Sequence, residues 1–205
     1  MTKIFKESIR SIKKIKNIVF FVMFLTLFSL ALGFYLSDSQ LPVIINLKAT
    51  ILNQIKNFGP LREIMDALLK KNVIYAILYT FAFNFGSGAF LSVILSGIIF
   101  PLPALIMFER GVFIGLLYGD LGGSWQYYLV FFGTLILEFG AYILASAAGI
   151  NIGLSFFTPK RFGTKSSWQA FGRSWIEAGK ILVIVAIILF VAAIWEIGGM
   201  YLLIK

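Results

Sequence analysis

Apolar residues in this chain fall in long runs rather than in alternation, and the runs set the fold class. Residues 17–36 (NIVFFVMFLTLFSLALGFYL) carry no charge, and as a helix at 1.5 Å per residue they extend about 30 Å, the thickness of a hydrocarbon core. Further apolar runs cover about 73–99, 102–119, 125–156 and 179–204. Pro101 and Pro103 separate the second run from the third, because proline lacks a helix donor and restricts the residue before it. The fourth run would be about 48 Å long as a straight helix, more than the bilayer core needs, so it must tilt, protrude or break. Gly133 and Gly140 are the candidate bends. The pattern predicts an all-α, polytopic transmembrane bundle of about five spans, with amphipathic helices at its interfaces.

Between the first two spans, residues 37–72 change period. Leu61, Ile64, Met65, Leu68 and Leu69 recur at helical spacing, and Ile44, Leu47, Ile51, Ile55 and Phe58 step by three or four. Two readings stand here: helices lying on the membrane or capping the bundle, and a docking surface for an unidentified membrane or extracytoplasmic protein. Trp168, Phe171 and Trp175 have helical spacing beside basic residues, as an interfacial anchor would. The chain thus divides into a basic amphipathic segment (1–16), a first span (17–36), an extracytoplasmic segment (37–72) and a four-span core (73–204) that includes a 157–178 loop.

Composition agrees: 60% of the 205 residues are hydrophobic and 17% aromatic, above the usual range of a soluble domain. The net charge of +9 belongs to residues flanking the spans, where lysine and arginine meet anionic headgroups; nucleic acid is not an expected partner. With the N-terminus inside, Lys3, Lys6, Arg10, Lys13, Lys14 and Lys16 share the inner side with Lys160, Arg161, Lys165, Arg173 and Lys180. The outer side holds Lys48, Lys56, Arg62, Lys70, Lys71 and Lys205. Eleven basic residues against six favour N-in, C-out. The basic start before span one reads as a signal anchor, since the apolar run is too long for an ordinary signal peptide. The expected location is the cytoplasmic membrane of the cell.

Small residues recur every fourth position in three spans: Thr80, Asn84, Gly88, Ser92 and Ser96; Gly111, Gly115 and Gly119; Ala141, Ala145, Gly149 and Gly153. Residues at i and i+4 share a helix face, so each track is a groove that another backbone can approach closely. Self-association through one of these tracks predicts a homo-oligomer. Beside the tracks lie charges that hydrocarbon disfavours: Glu109, Arg110, Glu138 and Glu196, each costing about 2.5–3.5 kcal/mol at a span centre on insertion scales. Asn84, Glu138 and Glu196 are expected to converge, with Arg110 or Glu109 at the border. Such a centre serves either as a hydrogen-bonded clasp between helices or as a proton or cation site.

Catalysis has little to work with. The chain has no Cys and no His, which removes thiol and histidine nucleophile chemistry, zinc sites and disulfides. Tyr118-Gly119-Asp120 is similar to half of an intramembrane aspartyl-protease pair, but the other aspartates, Asp38 and Asp66, lie outside the spans. No cofactor is expected.

From about Asn84 to Glu196 the chain resembles the stage II sporulation protein M (SpoIIM) family of integral membrane proteins. The resemblance rests on Asn84 in FAFNFGSGAF, on Gly111 and Gly115 in RGVFIG, and most of all on GTLILEFGAYILASAAGINIG. In the last of these Glu138, Ala141, Ala145, Gly149 and Gly153 stand at the family's glutamate and following small residues. AAIWE, ending at Glu196, is similar to the final-helix glutamate stretch. Family members often carry histidine where this chain has Thr134, and asparagine where it has Arg110. The resemblance implies five spans with a cytoplasmic N-terminus and no enzymatic activity. It also implies a scaffold role, since the namesake organises peptidoglycan-remodelling enzymes during engulfment. A non-enzymatic membrane scaffold is therefore the leading functional expectation, and a small transporter or ion- or proton-coupled channel using the intramembrane glutamates is the alternative.

Overall fold

The computed structural model describes residues 2–39, 41–118 and 124–204; Gly119, Asp120 and Lys205 of the sequence reading lie outside them. Among the described residues the regular structure is helical. A short α1 (Thr2–Lys14) leads into α2 (Lys16–Ser37), and α3 (Pro42–Lys56) and α4 (Gly59–Leu69) form a cap. The next helix begins as α5 (Val73–Phe83), widens into π-helix over Asn84–Ile94 and tightens into 3-10 turns over Leu95–Ile98. Then follow α6 (Leu102–Tyr118), α7 (Trp125–Phe157), a 3-10 turn (Pro159–Phe162) and α8 (Ser167–Ile204).

Among the described residues four helices are long and apolar enough to cross a membrane: Lys16–Ser37, Val73–Ile98, Trp125–Phe157 and Ser167–Leu203. The predicted span at 102–119 is the 17-residue α6, which packs along α2. This is a membrane protein. The predicted loop at 157–178 is shorter than expected, because α8 starts at Ser167. Ser167 Oγ donates to the Phe156 carbonyl at 3.0 Å, and Phe171 stacks obliquely on Phe156 with ring centroids 4.6 Å apart. The aromatic trio expected at the interface thus also pins the start of α8 to the end of α7.

Close approach of backbones holds the bundle together, and the small residues make it possible. Gly33 of α2 lies against Gly115 of α6: a β-carbon at Gly33 would meet the Val112 carbonyl oxygen and stand 2.9 Å from Gly115 Cα. A stripe that the sequence reading passed over, Thr26, Ser29, Gly33 and Ser37, forms the buried face of α2 there. On the other side, Gly97 abuts the Gly149 backbone, and a β-carbon at Gly153 would stand 2.5 Å from the Gly97 carbonyl oxygen. Ala141 and Ala145 are fully buried in the main core. The tracks at Gly88, Gly111, Gly115, Ala141, Ala145, Gly149 and Gly153 are therefore covered within one chain. The self-association expected of them relied on faces that the fold already uses.

Two further expectations change. Helix α7 runs without interruption from Trp125 to Phe157, so Gly133 is not a break. It seats the Trp195 indole, whose Nε1 donates to the Val130 carbonyl at 3.1 Å. The 37–72 segment folds as a cap: Ile51 and Leu68 are buried, and Ala67 and Leu68 pack with Ala76 of α5 and Ile197 of α8. The predicted stripe is split, since Met65 and Leu69 remain exposed.

At the opposite end α1 docks on α8 through Ser8 and Ser11, both buried, with Lys14–Glu177 and Lys180–Glu7 ion pairs of 2.5 and 3.0 Å. The hydrogen bond and charge of Lys180 hold the Glu7 carboxyl below its ordinary value of 4.5. A carboxyl lowered in the folded state adds stability above its unfolded value and loses it as pH falls through the lowered one. Helix α1 should therefore stay docked at neutral pH and loosen only below about 4.5. A spin-label distance between α1 and α8, followed through acidification, checks this; the change should be small because the pair is exposed.

Candidate functional site

In this up-and-down bundle the helix ends carrying α3 and α4 mark one face of the molecule. Counting from those ends at 1.5 Å per residue, Asn84, Arg110, Glu138 and Glu196 all lie roughly 12–20 Å deep. Four residues far apart in sequence therefore share one layer. Asn84 Nδ2 donates to Glu138 Oε1 at 2.5 Å. Arg110 Nη2 donates to Ser92 Oγ at 2.7 Å and to the Gly88 carbonyl at 3.2 Å, with its guanidinium carbon 4.6 Å from the centre of the Tyr142 ring, a cation–π geometry.

The π-helical stretch accounts for part of this. An extra residue per turn is a costly geometry that recurs at functional sites. Here it spans Asn84 through Ile94, so Asn84, Gly88 and Ser92 all present polar atoms to α6 and α7. Gly88 has no side chain to displace Tyr142, whose Oη would stand 2.7 Å from a β-carbon there.

Glu138 is half-buried and forms a wall of two cavities. The first, of about 450 Å³, also takes in Asn84, Arg110 and Tyr142, and it rises to Ile51, Gln54 and Phe58 of the cap. The second, of about 210 Å³, adds Glu196 and Thr134 and rises to Tyr118 and Tyr127. Thr134 Oγ1 is buried there without a hydrogen-bond partner among the described residues. Below the layer the bundle closes: Val93, Ile94, Met107 and Ala145 are fully buried, and Gly97 and Gly149 meet backbone to backbone.

The structure places Asn84 and Glu138 in one cavity wall and Glu138 and Glu196 in another, with Arg110 bordering the first. Glu109 is part of neither. It is exposed and makes no hydrogen bond or ion pair among the described residues. Successive residues on a helix point about 100° apart, and the buried Met107–Gly111–Gly115 face turns Arg110 toward the cavity and Glu109 away. Sequence reading missed Ser92 as a ligand of Arg110 and missed Tyr142 altogether; it noted Thr134 and Tyr118, but not as neighbours of the glutamates. Ser92 lay within a recognised track and Tyr142 four residues after Glu138, so helical spacing alone could have raised both.

The family model of stage II sporulation protein M matches residues 18–197, well over half of the chain. The chain belongs to the SpoIIM family. No curated protein and no solved structure shows significant similarity to it. The matched span of this SpoIIM member includes all four residues of the polar layer and begins after α1. Thr134 and Arg110 both line the cavities.

Proposed function

We propose that this SpoIIM-family protein is a non-enzymatic membrane protein that carries a proton or a monovalent cation at Glu138 and Glu196, as a small transporter or channel. The observation that supports it is one-sided access. Both carboxylates line cavities that reach the capped end, while the other half of the bundle is closed by glycine contacts. A clasp that only joins helices would be enclosed on all sides. Charge balance points the same way. Two carboxylates and one guanidinium leave room for one more positive charge in a medium that strongly penalises an unbalanced one. Inverting access would require the Gly97–Gly149 contact to part, and the π-helical and 3-10 turns beside it provide loosely bonded backbone at the place where it would bend.

The test is flux into proteoliposomes under an imposed proton or sodium gradient. Glu138→Gln retains an oxygen that can accept from Asn84, so the melting temperature in detergent should stay near that of the wild type. Flux should fall at least about tenfold, because the exchangeable charge is gone. A wild-type protein with no flux, or a variant with undiminished flux, would overturn the reading.

The second reading is the scaffold. It is favoured by Glu109, an outward-facing carboxylate on α6, because ionisable groups within spans ordinarily face protein or water. A partner bringing a cationic or hydrogen-bonding side chain to α6 would satisfy it. A second copy of the chain would have to join by such an outer face, since the small-residue tracks are occupied. Under this reading Glu109→Leu would release a partner cross-linked in native membranes of the cell, while Glu138→Gln would retain it. We place the N-terminus and the basic end in the cytoplasm on the lysine and arginine distribution, and the capped end outside.

A further inference from the structure

We infer that the basic end of the bundle holds a phosphate-binding site, separate from the polar layer, between α1, the end of α7 and the start of α8. A cavity of about 500 Å³ there is lined by Lys14, Lys180, Arg161 and Arg173, with Glu177 and Asn151. Four cations against one carboxylate is an excess, and the ion pairs do not absorb it. Lys14 is paired with Glu177 and Lys180 with Glu7. Arg173 Nη1 reaches only neutral carbonyls, Phe162 at 2.6 Å and Gly163 at 3.5 Å, so its charge is oriented and uncompensated. The Arg161 side chain makes no hydrogen bond or ion pair among the described residues.

Asn151 supplies the second observation. It is only 2% exposed, lines the cavity, and its carboxamide makes no hydrogen bond among the described residues. The amide atoms are not sealed in the core but open on the cavity, so a ligand there can accept from the N–H₂ group. An oxyanion does so, and the two guanidiniums suit it, because arginine recognises phosphate through parallel N–H donors.

Arg161 sits in the 3-10 turn between α7 and α8. Gly163 adopts φ +65°, a conformation open to glycine at no steric cost. It reverses the chain so that the Phe162 and Gly163 carbonyls face Arg173 while Arg161 stays at the rim. Trp168, highly exposed at the second residue of α8, marks headgroup depth nearby. The ligand chemistry is therefore a phosphate monoester or diester at the membrane surface, from an anionic lipid headgroup or from a free phosphate.

The experiment follows thermal stability of the full chain in detergent at constant ionic strength. One arm adds inorganic phosphate and the other adds phosphatidylglycerol, with sodium chloride and phosphatidylcholine as the controls. Binding predicts a rise in melting temperature over the matching control. A rise with inorganic phosphate identifies a site for the free anion; a rise with phosphatidylglycerol alone identifies a lipid headgroup site. In either case Arg161→Gln, at an exposed position that folding does not use, should weaken the half-saturation concentration about tenfold, the scale of one charge-assisted hydrogen bond. Asn151→Leu should weaken it as well, while Lys165→Gln, outside the cavity, should not. No rise in either arm, or an unchanged response in Arg161→Gln, would overturn the inference.

Discussion

Leucine in place of Gly97 should leave no folded bundle to purify. A β-carbon at this position would overlap the Gly149 carbonyl group, and a β-carbon at Gly149 would in turn stand 2.6 Å from the Val93 carbonyl oxygen. These are backbone atoms, so no rotamer change relieves the clash. The 3-10 turns that carry Gly97, with the π-helical stretch before them, would have to separate from α7, uncovering Val93, Ile94 and Ala145, all fully buried. Overpacking a tight core costs about 1–3 kcal/mol or more when only side chains must move, and here the constraint is stiffer. Fluorescence-detected size exclusion of the detergent-solubilised protein should show the monodisperse peak lost. Gly140→Leu and Gly172→Leu, at positions where a β-carbon meets nothing within 4 Å, should keep it. A Gly97→Leu protein that merely shifted from a larger to a smaller particle would mean that the track joins two chains.

Arg110→Met should be nearly as damaging, by electrostatics instead of volume. The substitution keeps much of the stem but removes the guanidinium from Ser92, the Gly88 carbonyl and the Tyr142 ring. It leaves the Glu138 carboxylate, which lines the same cavity, with no compensating cation. Removing one partner of a desolvated charge set costs about 3–5 kcal/mol. Because both groups border cavities, the lower end of that range is the expected loss, read as a drop in melting temperature. Adding Glu138→Gln to Arg110→Met should recover part of it, since the uncompensated charge disappears. A double variant no more stable than Arg110→Met alone would mean that the two side chains do not act on one another.

How far the chain could be read without coordinates depends on the kind of information involved. The spans were legible because a bilayer demands length and continuous apolarity, properties that one segment displays alone. Asn84, Glu138 and Glu196 were legible for the same reason in reverse, as polar groups in the wrong solvent. Glu109 and Arg110 show the limit. Both interrupt the same run, and the sequence cannot say which of two neighbours 100° apart faces inward until the partner of α6 is known. Gly133 shows another: a glycine in a long helix signals a bend or a close neighbour equally well, and the Trp195 indole that settles the matter comes from 62 positions later.

By itself, then, the amino-acid order determined that this is a helical membrane protein with a few polar groups at depth and small-residue grooves along its helices. Only the tertiary arrangement decided that those grooves close on one another within a single chain. It also decided that Glu138 divides two cavities reaching the capped end, and that Asn151 joins Arg161 and Arg173 around a third at the other. The reason is physical. Hydrophobic length and helical period are local quantities carried by each segment. Which faces meet is settled by packing, where the shape of each surface counts only against its neighbour's.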